Sequence, residues 1–328
     1  MKQFLLLTAF FIGTTLSAQY PRLHVLQNPD TLNKTRLHLS AGTGLAIYSG
    51  FSVALWNSWY KQSEIGGFQT FDDAKEWNQM DKAGHFYTAW LESHYVFQGA
   101  KWTGMKRRNA LITGAAVGIG LQTTIEIMDG FSADWGFSWS DMVANGLGTG
   151  FWLAQELIWK EQRFKMKFSA NPQSYSTAPL ASQDGGSTTS LNERAIELYG
   201  EGFGTSVFKD YNAQTTWISG NIYSFLPNKG TSKFPKWLNV AVGYGSNNLY
   251  GGFENAWADE EGTKYVLNGD DFPRYRQFYL SLDIELTKIP TKSRFLKALF
   301  GVVNWIKIPA PALELNTLGK VKFHPIYW

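Results

Sequence analysis

Two hydrophobic periodicities divide the chain. Up to about residue 165 the apolar positions recur at helical spacing; beyond about residue 193 they alternate with polar ones. Leu37 to Tyr60 holds no charged residue and reads as a first helix, although His38, Ser40 and Asn57 make it a poor membrane span. A second helix starts at Asp81 and runs to about Gly99. A third covers Asn109 to about Met128, after the basic turn Lys101–Arg108, and a fourth runs from near Ser140 to near Lys160. Gly114-xxx-Gly118 and Gly146-xxx-Gly150 place small residues one turn apart, a device by which apolar helices approach closely. Residues 61–80 form a charged, mixed connection, and the four helices are expected to pack as an up-and-down bundle.

The second half reads as strands. From Gln277 to Thr287, Phe278, Leu280, Leu282, Ile284 and Leu286 share one face, with Tyr279, Ser281, Asp283, Glu285 and Thr287 on the other. Leu238–Tyr244 alternates more weakly, and Thr216–Phe225 and Phe164–Phe168 are further strand candidates. An antiparallel sheet with one apolar face follows. Thr291–Ile306 is an amphipathic helix with Phe295, Leu296, Leu299, Phe300 and Val303 on one stripe. Lys292, Arg294, Lys297 and Lys307 lie around it, so it suits either a membrane interface or packing on the sheet. The fold class is α+β: a signal peptide over 1–18, a helical bundle over 19–165, a flexible linker or long loop over 166–192 rich in Ser, Thr, Gly and Pro, and a β-rich region over 193–328.

Composition narrows the compartment. Charged residues are 17% of the chain, below the usual quarter or so, and aromatics are 16%. The net charge of +3 is too small to argue for nucleic acid. The absence of cysteine excludes disulfides, thiolate metal sites, cysteine nucleophiles and a lipid-bearing N-terminal cysteine. Lys2, the apolar run Phe4–Ile12 and the small residues before Gln19 form an export leader, its apolar run well short of the ~20 residues of a span. The expected location is the periplasm or the outer-membrane-associated envelope of a Gram-negative bacterium. If the first three mature helices each crossed a membrane, the Lys101–Arg108 loop would lie outside, against the positive-inside rule. A partly embedded or wholly periplasmic bundle fits better.

The candidate chemistry lies in polar groups set among these apolar helices. Asp81 and His85 are one turn apart, and Lys82 and Glu92 lie near them. Glu126 and Asp129 close the third helix; Asp141 and Asn145 open the fourth. The start of the second helix, the end of the third and the start of the fourth coincide in an antiparallel bundle, and the first helix would bring Trp56, Asn57 and Trp59 to that end. Singly, Asp81 reads as an N-cap, Ser138 or Ser140 with Asp141 as a helix start, and Asp129-Gly130 as a helix exit. Together, His85, Asp81, Glu126, Asp129 and Asp141 exceed what capping requires. They suit a divalent cation held by carboxylates and His85, or acid/base hydrolysis with His85 oriented by Asp81 or Glu126. The ligand set lacks a tight signature such as H-E-x-x-H, so the sequence names no cofactor. No nucleophile elbow, P-loop or Rossmann fingerprint occurs in the right context.

At these residues the chain resembles a known group. Asp81-Lys82-x-x-His85-Phe86, Glu126-x-x-Asp129 and Ser140-Asp141-x-x-x-Asn145-x-x-Gly148 resemble the YfiM-like envelope family and, more remotely, VanZ-like membrane proteins. The resemblance covers roughly residues 75–160 and implies an envelope location and a helical bundle; it supplies no reaction. The ending Lys322–Trp328 is similar to longer Bacteroidota-type members of that group. The sequence therefore points to a membrane-associated structural or ligand-binding module, whose partners are the membrane or other envelope components. The alternative is a membrane-proximal, hydrolase-like enzyme acting on a lipid or cell-wall substrate through the cluster. An outer-membrane barrel is a third reading. Trp328 favours it, whereas Pro325 and a count of six or seven strands, against the eight a barrel needs, oppose it.

Overall fold

Asn33 takes extended backbone and opens the first helix: its side chain accepts from the Arg36 amide at 3.0 Å, and α1 runs Lys34–Leu55. The computed structural model describes residues 27–57, 64–227 and 229–328. The leader over 1–18 and the end of the first helix at 58–60 lie outside the described residues. Three further helices follow: α2 Met80–Trp102, α3 Arg107–Gly130 and α4 Trp139–Ile158.

Helices α2, α3 and α4 pack around Trp90, Phe97, Ala110 and Trp152, all essentially without solvent contact. Glycines make that closeness possible. A Cβ at Gly114 would meet the Trp152 ring at 2.8 Å, and one at Gly118 would strike the Ser93 hydroxyl. On α4 the contact glycine is Gly148, where a Cβ would collide with the Phe86 carbonyl. Gly146 and Gly150 face open space instead. Helix α1 lies beside this trio and buries only Arg36, whose guanidinium donates to the carbonyls of Gln27 at 2.8 Å and Trp102 at 3.2 Å. Its Leu39, Leu45, Ile47 and Val53 are exposed.

The rest of the chain builds a six-stranded sheet. Its strands are β1 Phe164–Ala170, β4 Gln214–Asn221, β5 Leu238–Asn247, β8 Tyr275–Ile284, β9 Ala310–Asn316 and β10 Val321–Tyr327, in that spatial order, every neighbour antiparallel. Two short ribbons stand apart: β2 Leu180–Ala181 with β3 Thr188–Thr189, and β6 Ala256–Ala258 with β7 Lys264–Val266. Helices α5 Leu191–Tyr199 and α6 Phe203–Lys209 precede β4, and α7 Arg294–Val303 joins β8 to β9. The α+β class read from the sequence is the observed one. The stretch before β4 is tied down by Tyr175, which donates to Asp210 at 2.6 Å, and by Asn212, which donates to the Leu249 carbonyl at 3.0 Å.

The apolar face of this sheet points outward. One lateral row runs Ile218, Val242, Leu280, Leu313, Phe323, and its members are between 41% and 63% exposed. The adjacent inward row runs Lys167, Trp217, Gly243, Tyr279, Glu314 and is buried throughout. Trp217 lies across Gly243, where a Cβ would meet its ring at 2.7 Å. The interior charges are paired. Lys167 Nζ stands 2.8 Å from Asp283 Oδ2, with neither side chain exposed, and donates to the Ile284 carbonyl at 2.6 Å. Lys307 donates to the carbonyls of Leu282 and Ile308, both at 2.7 Å, and sits over the Trp217 ring. The sheet rolls until the segment leading into β9 returns to β1: Phe168 N donates to Trp305 O and Lys307 N to Phe168 O, each at 2.9 Å.

Two predictions follow from this packing. Asp283→Ala strands two buried ammonium groups and should destabilise the fold by about 3–5 kcal/mol, whereas Leu280→Thr on the outward face should change it by less than about 0.5 kcal/mol. Gly148→Ala should cost about 1–3 kcal/mol through forced separation of α2 and α4, and Gly146→Ala should cost nothing. Denaturant unfolding of the four variants checks both contrasts.

Candidate functional site

The start of α2 is set by an unusual turn. Trp77, Asn78 and Gln79 all take left-handed backbone, with φ of 49°, 50° and 63°, a conformation non-glycine residues adopt at a cost. Partners in the sheet hold it there. Tyr244 donates to the Asn78 carbonyl, Asn78 Nδ2 donates to Ser246 at 2.9 Å, and Arg276 donates to Gln79 Oε1 at 2.5 Å. Gln79 occupies the cap position without a side-chain cap bond. Asp81, expected as the N-cap, therefore lies inside the first turn with its carboxylate free for other partners.

Those partners converge. Lys82 Nζ stands 2.7 Å from Asp73 Oδ2, 3.1 Å from Asp81 Oδ2 and 3.0 Å from Asp141 Oδ1. His85 Nδ1 lies 3.2 Å from Asn145 Oδ1 and 3.5 Å from Glu126 Oε1. Its Nε2 lies 3.8 Å from Asp81 Oδ1 and 3.9 Å from Asp141 Oδ1. Tyr211, from the approach to β4, donates to Asp81 Oδ1 at 3.0 Å. Asp73 also accepts from the hydroxyls of Ser138 and Ser140, each at 2.6 Å. Ser138 has two further roles: its hydroxyl caps α4 by accepting from the Asp141 amide at 3.1 Å, and its own amide donates to Glu126 at 3.2 Å.

Four of the five acid and histidine candidates thus surround one point. Asp129 sits one turn further along α3 and acts at a distance, its charge helping to push Glu126 up. Glu92 accepts from Gln122 at 2.9 Å. Trp56 is half exposed, Asn57 turns back to the Val53 carbonyl at 2.9 Å, and Trp59 lies outside the described residues. Sequence reasoning missed Asp73, Ser138 as a bridge, and Tyr211. Asp73 sat in a mixed connection, and Tyr211 is 130 residues from its partner; neither carried a spacing signal.

Burial and crowding set the charges. Burial raises Glu126 to about 7, against the pull of His85. Burial together with the Asp81 charge raises Asp141 to about 8. Burial alone would lower His85, but Asp81, Asp141 and Glu126 outweigh it and lift the imidazole to about 9. Burial also opposes ionisation of Asp73 and Asp81, yet both are held below the usual carboxylate range, Asp73 by its hydrogen bonds and Asp81 by His85 and Lys82. Glu76, nearby, is pushed to about 7 by burial and then by Asp73 and Asp81. The centre therefore holds two cations, Lys82 and His85, against two firm anions and two carboxyls that titrate near neutrality. Asp81, His85 and Asp141 could offer three metal-ligating atoms within 4.8 Å of one another. The Lys82 ammonium already supplies positive charge to two of those three groups.

Residues 69–155 match a family described as "Predicted periplasmic lipoprotein (DUF2279)". The matched stretch contains Asp73, Asp81, Lys82, His85, Glu126, Asp141 and Asn145. No curated protein and no solved structure matches the chain. The match supports an exported protein of the cell envelope.

The proton inventory gives a pH prediction. Glu126, Asp141 and His85 all bind protons more tightly in the folded state. Each contributes stability on the acid side that is lost as pH rises, through about 7, 8 and 9 respectively. Asp73 and Asp81 act oppositely, losing their contribution only below about pH 4. Buried His94, lowered to about 3, acts oppositely up to about pH 6.5, so melting temperature should decline from about pH 6.5 to about pH 9. In Glu126→Gln the loss of stability up to about pH 7 should be smaller than in the wild type, with Glu76, Glu92 and Asp141 supplying the remainder; an unchanged profile would refute the assignment.

Proposed function

We propose that the protein is a membrane-associated envelope module whose apolar flank rests in lipid, partly embedded. The observation that carries this reading is the reversed sheet: apolar side chains outside, paired charges inside. A soluble antiparallel sheet buries its apolar face, whereas outward apolar and inward polar positions are the pattern of sheets that face lipid. The helices add exposed apolar side chains of their own. Ile112 and Val117 on α3, and Val143, Leu147, Leu157 and Ile158 on α4, are exposed, as is much of α1. Among the described residues, one helix, Arg107–Gly130, is long and apolar enough to cross a membrane. Exposed apolar area of this extent needs a covering partner, and lipid fits the number of exposed apolar side chains and the export leader read from the sequence. The periplasmic face of the envelope and the YfiM-like likeness of the Asp81–His85 and Ser140–Asn145 blocks belong to the same reading.

The test is flotation of purified protein with phosphatidylcholine vesicles. The wild type should rise with the vesicles. Phe278→Gln/Leu280→Gln/Leu282→Gln should float at least tenfold less with an unchanged melting temperature, since each lost apolar contact is worth about 1.5 kcal/mol or more. Protein that stays down as a monodisperse species without detergent would overturn the reading; a stable soluble oligomer would assign the surface to a second copy.

One observation favours a second reading, acid/base hydrolysis at His85. Both ring nitrogens face acceptors, and the side chains of His85 and Asp81 keep 14% and 27% exposure, so water reaches them. Asp81→Asn and Asp141→Asn preserve size and remove charge. Activity on lipid or cell-wall substrates that both substitutions abolish would support it; retention by both would exclude it.

A further inference from the structure

The two ends of the molecule carry opposite charge. One end gathers the exit of α2, the entry of α3, the exit of α4 and the connections that lead into β5 and out of β8. The register fixes this: Leu238 pairs with Ile284, Asn221 with Asn239 and Phe164 with Gly220, and Tyr95 on α2 donates to the Gly301 carbonyl at 2.9 Å. Its connecting segments are predominantly basic, the exception being Glu161 after α4, which pairs with Arg163 at 2.9 Å and Lys229 at 3.4 Å. Residues 101–108, 222–237 and 286–309 hold 4, 3 and 5 Lys or Arg and no acid. The opposite end carries the Asp81 cluster and acidic connections: residues 248–274 hold 6 acids against 2 bases.

Helix α7 lies at the basic end and leaves much of its apolar side uncovered, with Phe300 and Val303 of the stripe partly buried. Phe295, Leu296, Leu299 and Val302 are 65%, 37%, 39% and 46% exposed, and no residue of the helix is buried. Its far end is fixed: Asn304 accepts from the Leu286 amide at 2.9 Å and donates to Glu285 at 2.8 Å, while Trp305 packs against the helical core. Lys292, Arg294 and Lys297 flank the stripe, and among the described residues none of the three makes an ion pair. Half-exposed Phe225, with Trp159 edge-on to it and Arg163 over its ring, adds an aromatic rim on the same side. A rigidly mounted helix with one apolar stripe and unpaired cations fits a surface that is apolar below and anionic above. Aromatic side chains favour the same depth.

We infer that the basic end binds the anionic phospholipid headgroups of a bilayer, with α7 as the element that enters the interface. This rests on the membrane reading above and adds headgroup charge to it. The experiment compares flotation of the full chain with phosphatidylcholine vesicles and with vesicles containing phosphatidylglycerol, at low and high salt. Anionic vesicles should bind more tightly, with the excess lost in high salt. Lys292→Gln/Arg294→Gln/Lys297→Gln should weaken anionic binding about fivefold per charge, on the order of a hundredfold in all, and leave neutral-vesicle binding and melting temperature as they were. Glu260→Gln/Glu261→Gln, at the acidic end, should change neither. Equal binding to both vesicles, or a triple variant that keeps its preference for anionic ones, overturns the inference and leaves the membrane reading standing. Failure to bind either vesicle removes both.

Discussion

Lys167 and Asp283 meet at 2.8 Å with neither side chain touching solvent, and the architecture of the sheet follows from that contact. A buried charge must be paired and hydrogen-bonded or it costs several kcal/mol. Here the pairing recruits neighbours: Ser219 donates to Asp283 at 2.6 Å, Lys307 takes two carbonyls, and Lys165 reaches Glu285 at 2.7 Å. Once this network occupies the inside of the rolled sheet, strict alternation leaves only the outside for Phe278, Leu280 and Leu282. The exposed apolar surface is thus the geometric consequence of a polar interior, not a separate feature.

The helical half meets the same constraint differently. Gly114, Gly118 and Gly148 bring α2, α3 and α4 so close that polar groups at their shared end cannot be separately hydrated. Lys82 then neutralises carboxylates from a loop, α2 and α4 at once. His85 is pressed between Asn145 and Glu126 on one side and Asp81 and Asp141 on the other. Three raised carboxyls around one centre, Glu76 among them, record the cost of the crowding.

Much of this was legible in the sequence, and the rest was hidden for physical reasons. Helical spacing marked α2, α3 and α4 within a few residues, and the alternation from Gln277 marked β8. Spacing also brought Asp81, His85, Glu126 and Asp141 to one end, because helix periodicity and short connections fix direction. Alternation separates two faces but does not say which goes inside; that was decided by lysines 167 and 307, both outside β8. The glycine spacing identified the contact on α3 and missed it on α4. Any small residue on a helix satisfies the pattern, and only the position of Phe86 selects Gly148. Asp81 read as a cap because Asp often caps. The left-handed turn at 77–79 moved the helix start one residue upstream and changed its role.

That turn also joins the two halves. Three consecutive non-glycine residues in left-handed backbone persist only when their surroundings over-determine them, and here the determinants come from the sheet: Tyr244, Ser246 and Arg276 hold Asn78 and Gln79. Trp77 donates from its amide to the Gly252 carbonyl at 2.7 Å and packs its ring near Tyr211. Tyr211 in turn donates to Asp81. The first turn of α2, and with it the relation of Asp81 and Lys82 to Asp141, is therefore set by contacts with β5, β8 and their loops as well as by helix packing. A change in how the sheet sits against its surroundings has a direct covalent and hydrogen-bonded route to the buried cluster, through a segment already away from its relaxed conformation.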